Sequence, residues 1–164
     1  MEVDSNKTIL YRVKHQYDQV LFLIHELPIE DLYKNHTPGK WSVFQNLAHL
    51  GRYQQVFLGR IHIILEEEVP VFSRYIAEQD KLFEKWKSMS YNEVIEKTKN
   101  KRTEIYDFLA SLTPEKTLKK GIHPKLGPLT IQEWTEFFLL HESHHFYTIF
   151  WICKEFRAMS LKTS

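Results

Sequence analysis

Near its C-terminal end the chain reads His141-Glu142-Ser143-His144-His145, so that five residues hold three of its nine histidines. At about 100° per residue, a helix through this segment sets His141 and His145 only about 40° apart, on one face and within reach of a single ion. Both fall in the apolar stripe of Trp134, Phe138, Ile149 and Ile152, where imidazoles need partners. Other side chains, a buried water or a shared metal ion would serve, and neutral imidazole is the commonest metal ligand. A metal is the most economical of the three. His144 also lies one turn from His141 but projects roughly 100° from the centre of the stripe, which favours His145.

A third ligand has to come from another element. His15, His25, His49 and His62 lie in helical segments, and His36 and His123 in loops. Periodicity leaves the choice open. His49 lies off the main apolar stripe of its own helix, beside Tyr53 and Val56.

The same five residues satisfy H-E-x-x-H, the zinc-protease signature in which the glutamate is the general base. That reading needs a third ligand downstream. Only 19 residues follow His145, none of them histidine, and Glu155 continues the same helix and cannot fold back. Protease chemistry is therefore disfavoured.

The elements that must position these histidines follow from apolar spacing and capping patterns. A first helical segment runs from about Asn6 to Leu27, with Ile9, Val13, Tyr17, Val20 and Ile24 in register and Pro28 at its end. Ser42 and Gln45, Ser90 and Glu93, and Thr130 and Glu133 each form a capping-box pair opening a long helix. Between Phe72 and Trp86 the pattern is irregular, with room for a short helix. The turn-rich segment from Gly121 to Leu129 is expected to cross as an ordered loop. The last helix looks apolar nearly all round, with Leu139, Phe146 and Phe150 on one side and Leu140, Tyr147 and Trp151 on the other, as a core plus a homodimer interface would require. Residues Ser160 to Ser164 are expected to fray. The expected fold is all-α, an antiparallel four-helix bundle with a long crossover before the last helix, in one domain over residues 1–164.

Composition narrows the function. Basic and acidic residues number 22 and 21, a net charge of +1, which gives no field for collecting nucleic acid. The single cysteine, Cys153, sits among Trp151, Ile152 and Phe156 and suits a reducing compartment. The N-terminal sequence MEVDSNKTILYRVKH has no secretory pattern, and no apolar run approaches membrane-spanning length, so a cytoplasmic protein without a membrane partner is expected.

Three motifs carry a family resemblance. They are Lys40-Trp41-Ser42-Val43 followed by Asn46-Leu47-Ala48-His49-Leu50, then Leu126-Gly127-Pro128-Leu129-Thr130, then His141 to His145. In order and spacing the chain resembles the DinB-like (damage-inducible) metal-binding proteins, which include bacillithiol transferases. The resemblance implies a commonly dimeric four-helix bundle whose divalent metal ion, zinc or nickel, is bound by His49, His141 and His145. It also implies a thiol S-transferase that joins a low-molecular-weight thiol cosubstrate to a small electrophilic substrate. A metal-dependent hydrolase of small molecules and a non-catalytic metal-binding stress-response dimer are the alternatives. Gln45 and Tyr53, one turn before and after His49, are candidate supporting groups. The chain departs from the family pattern where an acidic residue often follows the first histidine, having Gly51-Arg52-Tyr53-Gln54 there.

Overall fold

Capping boxes set the beginnings of the two longest helices that carry histidines of interest. In the computed structural model, which describes residues 5–160, Ser42 Oγ accepts from the Gln45 amide while Gln45 Oε1 accepts from the Ser42 amide at 2.8 Å. Thr130 and Glu133 make the same reciprocal pair. In chain order the elements are α1 (Ser5–His15), α2 (Asp18–Ile24), α3 (Ile29–Leu32), α4 (Val43–Glu66), a 3₁₀ turn (Ala77–Gln79), α5 (Lys81–Lys87), α6 (Tyr91–Ala110), α7 (Pro114–Thr117), β1 (Lys120–His123), β2 (Gly127–Thr130) and α8 (Ile131–Ser160).

The first helical segment is divided. At Gln16 and Tyr17 the backbone tightens to i→i+3 bonds, from the Gln19 amide to the Gln16 carbonyl and from the Val20 amide to the Tyr17 carbonyl, both at 3.2 Å. The step turns both Gln16 and Tyr17 into the interior.

Four long elements form the bundle: the α1–α2 pair, α4, α6 and α8. Their directions can be read from contacts. Arg12 meets Glu136 and Arg157 meets the Leu23 carbonyl, so the first and last helices run parallel. Asn46 meets His145 and Phe57 meets Phe138, so α4 and α8 are antiparallel. Gly51 abuts Thr98 and His62 abuts Phe108, so α4 and α6 are parallel. Lys14 lies over Tyr106 and Arg102 over Tyr17, so α6 opposes the first helix.

A four-helix bundle is therefore present, and its parallel neighbours α4 and α6 need a return path. Residues 67–90, carrying α5, make that long crossing. Where α5 meets α4 there is no room for a side chain: a Cβ on Gly51 would lie 2.3 Å from the Trp86 ring. The segment ahead of α8, expected as a loop, is an antiparallel hairpin pairing Lys120 with Thr130 and His123 with Gly127. Gly127, at φ +77°, closes its three-residue turn from the left-handed region. The Trp134 indole N–H donates to the Gly121 carbonyl at 3.2 Å, and Val71 bridges to Ile122, fastening the hairpin against α8 and the exit of α4.

The core is in two apolar bodies. One gathers Tyr17, Val20, Leu47, Phe83, Trp86 and Ile149, the other Val13, Phe57, Ile61, Ile105, Trp134 and Phe138. Among the buried polar residues, which belong to neither, are Gln16, Asn46, His49, Gln54, Thr98, Arg102, Glu142 and His145. They form a polar level across the bundle. On α8 Leu139 and Phe146 are buried within the chain, whereas Leu140, Tyr147, Phe150 and Trp151 are 57, 62, 42 and 41% exposed on it. Expected fraying of the last residues falls, beyond Ser160, outside the described part of the chain. Among the described residues no helix is long and apolar enough to cross a membrane.

Candidate metal centre

Because α4 and α8 run antiparallel, His49 comes to lie opposite the turn that carries His141 and His145. The three side chains point their Nε2 atoms at one another: His49 to His141 is 3.2 Å and His145 to His141 is 3.3 Å. Ligand atoms of all three lie within 4.8 Å of one another. His144 is exposed and stands outside this cluster, its ring centroid 5.4 Å from that of His145.

Hydrogen bonding fixes one tautomer. Asn46 Nδ2 donates to the Ser42 carbonyl at 2.8 Å, which aims Asn46 Oδ1 at His145 Nδ1, also at 2.8 Å. His145 must therefore carry its proton on Nδ1 and turn a lone pair on Nε2 toward the cluster. Burial holds all three rings neutral, pushing His49 down to about 3, His141 to about 4 and His145 to about 2, with further lowering from His141 on His49, from His144 and Arg60 on His141, and from His49, His141 and His144 on His145. At neutral pH each ring is in the form that ligates a metal.

A divalent cation fits this arrangement. A proton on His141 Nε2 can serve only one of its two nitrogen neighbours at a time, whereas a cation serves all three lone pairs together. The two separations from His141 agree as well, since a tetrahedral site with Zn–N bonds of about 2.0–2.1 Å has edges of about 3.3–3.4 Å. Three protein ligands are also the number that leaves a position open for chemistry.

Around the imidazoles stand Trp41, Tyr53, Tyr75 and Phe83, with ring centroids 4.9, 5.8, 5.9 and 5.8 Å from that of His49. Tyr53 is nearer still to His141, at 4.2 Å, and burial keeps its phenol protonated by raising its pKa. Gln45 is elsewhere: its carbonyl oxygen is spent in the cap of α4, and it lines a separate groove with Tyr33 and Phe44. Two clefts reach the centre. One, of about 430 Å³, opens between residues 73–78 and the hairpin tip and is lined by all three histidines. The other, of about 740 Å³, lies between residues 36–41 and the exposed flank of α8, and shares Trp41, Glu78 and His145 with the first.

Sequence reasoning passed over Asn46, although it sits three residues before His49 on the same face and its type at a buried position was a usable signal. Fixing the orientation of a ligating histidine is commonly worth about 10–100-fold in metal affinity. Asn46→Ala is expected to weaken binding of a divalent metal by roughly that factor while leaving the three histidines in place, as chelator competition would measure.

Glu142 takes no part in the cluster. It is fully buried, accepts from Arg102 and, at 3.0 Å, from Gln16 Nε2, and Gln16 also donates to the Leu139 carbonyl at 2.9 Å. Burial pushes its carboxyl pKa up, opposed by Arg102 and Gln16. A glutamate tied in this way on a neighbouring face of the helix is not a general base at the histidines, which disposes of the zinc-protease match.

Bundle and site together define a four-helix protein with a three-histidine centre open to two clefts. The chain belongs to the DinB superfamily, whose sequence profile matches residues 12–149 and so spans all three histidines. Among solved structures it is similar to YfiT from Bacillus subtilis, described as a probable metal-dependent hydrolase with an unusual four-helix bundle topology. That likeness has a TM-score of 0.78 at 16% sequence identity, covering 95% of this chain and 90% of the other, and it is one of fold. No curated protein matches the chain.

Proposed function

We propose that the protein is a metal-dependent enzyme that holds a divalent ion, zinc or nickel, on His49, His141 and His145 and transfers a low-molecular-weight thiol to a small electrophile. The observation that carries this reading is the convergence of three neutral Nε2 atoms, at spacings suited to a tetrahedral ion, where two clefts meet. When bound, the ion supplies Lewis acidity, lowering the pKa of a nucleophile brought to its open position.

The chain's own residues do the rest. Asn46 holds His145 in the ligating tautomer, and Trp41, Tyr53, Tyr75 and Phe83 keep bulk water from the imidazoles. Tyr53, protonated and beside His141, offers an O–H donor. Two clefts sharing Trp41 and His145 let thiol and electrophile approach one centre separately.

Hydrolysis of a small molecule is the second reading, favoured by the fold likeness to YfiT and its described activity. Both are tested by incubating zinc- or nickel-loaded protein with cysteine and 1-chloro-2,4-dinitrobenzene, and separately with small activated esters. Conjugation above background that disappears in His49→Ala is the expected result. Ester cleavage without conjugation would replace transfer by hydrolysis, and neither activity would leave a non-catalytic metal-binding protein.

A further inference from the structure

Arginine pairing sets one region of the molecule apart. Of six arginines, Arg12, Arg52, Arg102 and Arg157 are each paired with a carboxylate, on Glu136, Asp80, Glu142 and Glu26. Arg60 and Arg74 have no acidic partner among the described residues. Both line the cleft of about 430 Å³ that opens on His49, His141 and His145, and Lys125 joins them from the hairpin tip.

Their surroundings make this more than loose surface charge. Arg60 is half-buried, its Nη2 donating to the Ser73 carbonyl at 2.9 Å and its guanidinium carbon 5.4 and 5.5 Å from the Phe72 and Trp134 ring centroids. It is thus fixed by a neutral carbonyl and two aromatic faces, with its charge uncompensated. Its field reaches the cluster, helping to depress the pKa of His141 and of His123. His123 Nδ1 accepts the Lys125 and Leu126 amides at 3.2 and 3.1 Å, which leaves its proton on Nε2. Glu78 is the one carboxylate in the lining, set against three cations. In a chain whose charges otherwise nearly cancel, this bias is local.

We propose that the cleft takes a substrate bearing an oxyanion group, a carboxylate or phosphate, which Arg60, Arg74 and Lys125 hold while the rest of the molecule reaches the three-histidine centre. The geometry suits it, because guanidinium groups match carboxylate and phosphate oxygens with paired N–H donors and are favoured where such groups are recognised. The inference rests on the proposed function for its substrate, but anion binding itself needs no metal and can be measured without it.

The experiment titrates metal-free, isotope-labelled protein with succinate, with inorganic phosphate and with the uncharged dimethyl ester of succinate, following backbone amide shifts of residues 73–77, His123, Lys125 and Leu126. Saturable shifts are expected from at least one anion and none from the ester. Succinate alone marks a carboxylate and phosphate alone a phosphate ester. Arg74→Glu and Lys125→Glu, both exposed, should each weaken binding roughly tenfold or more, whereas the same charge change at exposed Lys99 on α6 should not. No saturable shift from either anion up to about 10 mM, or equal weakening by Lys99→Glu, overturns the proposal. Zinc content of the parent protein separates the two readings: full zinc uptake without anion binding sinks the oxyanion site alone, and anion binding in a parent protein that takes up no metal sinks the metal enzyme alone.

Discussion

His145→Ala should lose metal almost entirely under conditions in which the parent protein holds one zinc or nickel ion per chain. Structural zinc sites bind with about 10–16 kcal/mol shared among four ligands, so one histidine accounts for roughly 2.5–4 kcal/mol, about a hundredfold to a thousandfold in affinity. His145 is the most informative of the three because its Nδ1 is already held by Asn46, so its Nε2 is committed to the cluster before any ion arrives. The control is His144→Ala: that residue is exposed, one position away on the same helix, and its removal should leave stoichiometry and affinity unchanged. Thermal melts give a second readout, since a ligand that binds only the folded state raises the melting temperature with its free concentration. Zinc should raise it for the parent and His144→Ala proteins and barely for His145→Ala. Equal zinc affinity in parent and His145→Ala proteins would rule out the three-histidine centre.

How much of this was readable in the sequence depended on whether a residue's signal was apolar. The capping boxes at Ser42, Ser90 and Thr130 mark helix starts through short-range chemistry, and α4, α6 and α8 begin where they say. His141 and His145 stood out because they interrupt an apolar stripe. His49 did not, and its place came from family resemblance. The structure shows the reason: α4 is buried over a wide arc that includes Asn46, His49, Tyr53 and Gln54, and polar residues facing a polar interior level leave no trace in hydrophobic periodicity. The step at Gln16 was hidden likewise, because its polar side chain is buried by partners on α8 that are distant in sequence. Helix direction was invisible too. Parallel packing of α4 and α6 depends on where residues 67–90 travel, and a sequence that permits a crossing does not state its path. The hairpin before α8 was missed because four-residue strands are too short to set up an alternating pattern, although Gly127 marked the turn.

Glu142→Gln is expected to be among the most destabilising single substitutions in the molecule, by about 3–5 kcal/mol, because it strands a buried guanidinium. Arg102 and Glu142 have side chains only 5% and 1% exposed, and Arg102 lies 4.8 Å from the Phe138 ring centroid and 5.9 Å from that of Tyr17. With both side chains buried, bulk solvent does not replace the carboxylate, and Gln16 can supply only an amide. Arg102→Met should cost a similar amount by leaving the carboxylate unpaired. The paired change, Glu142→Leu with Arg102→Met, removes both charges and should cost far less than the sum of the single changes, since a buried ion pair replaced by apolar groups of similar size is often nearly neutral. Urea denaturation of the four proteins supplies the cycle, and a loss below about 1 kcal/mol for Glu142→Gln would mean that the pair does not hold the bundle. The double variant also separates structure from chemistry. If Glu142 were the general base of an H-E-x-x-H site, restoring stability would not restore turnover. If it serves to lock α8 to α6 and the first helix at the level of the histidines, the refolded double variant should bind zinc with nearly parental affinity, because His49, His141, His145 and Asn46 would stand where they did.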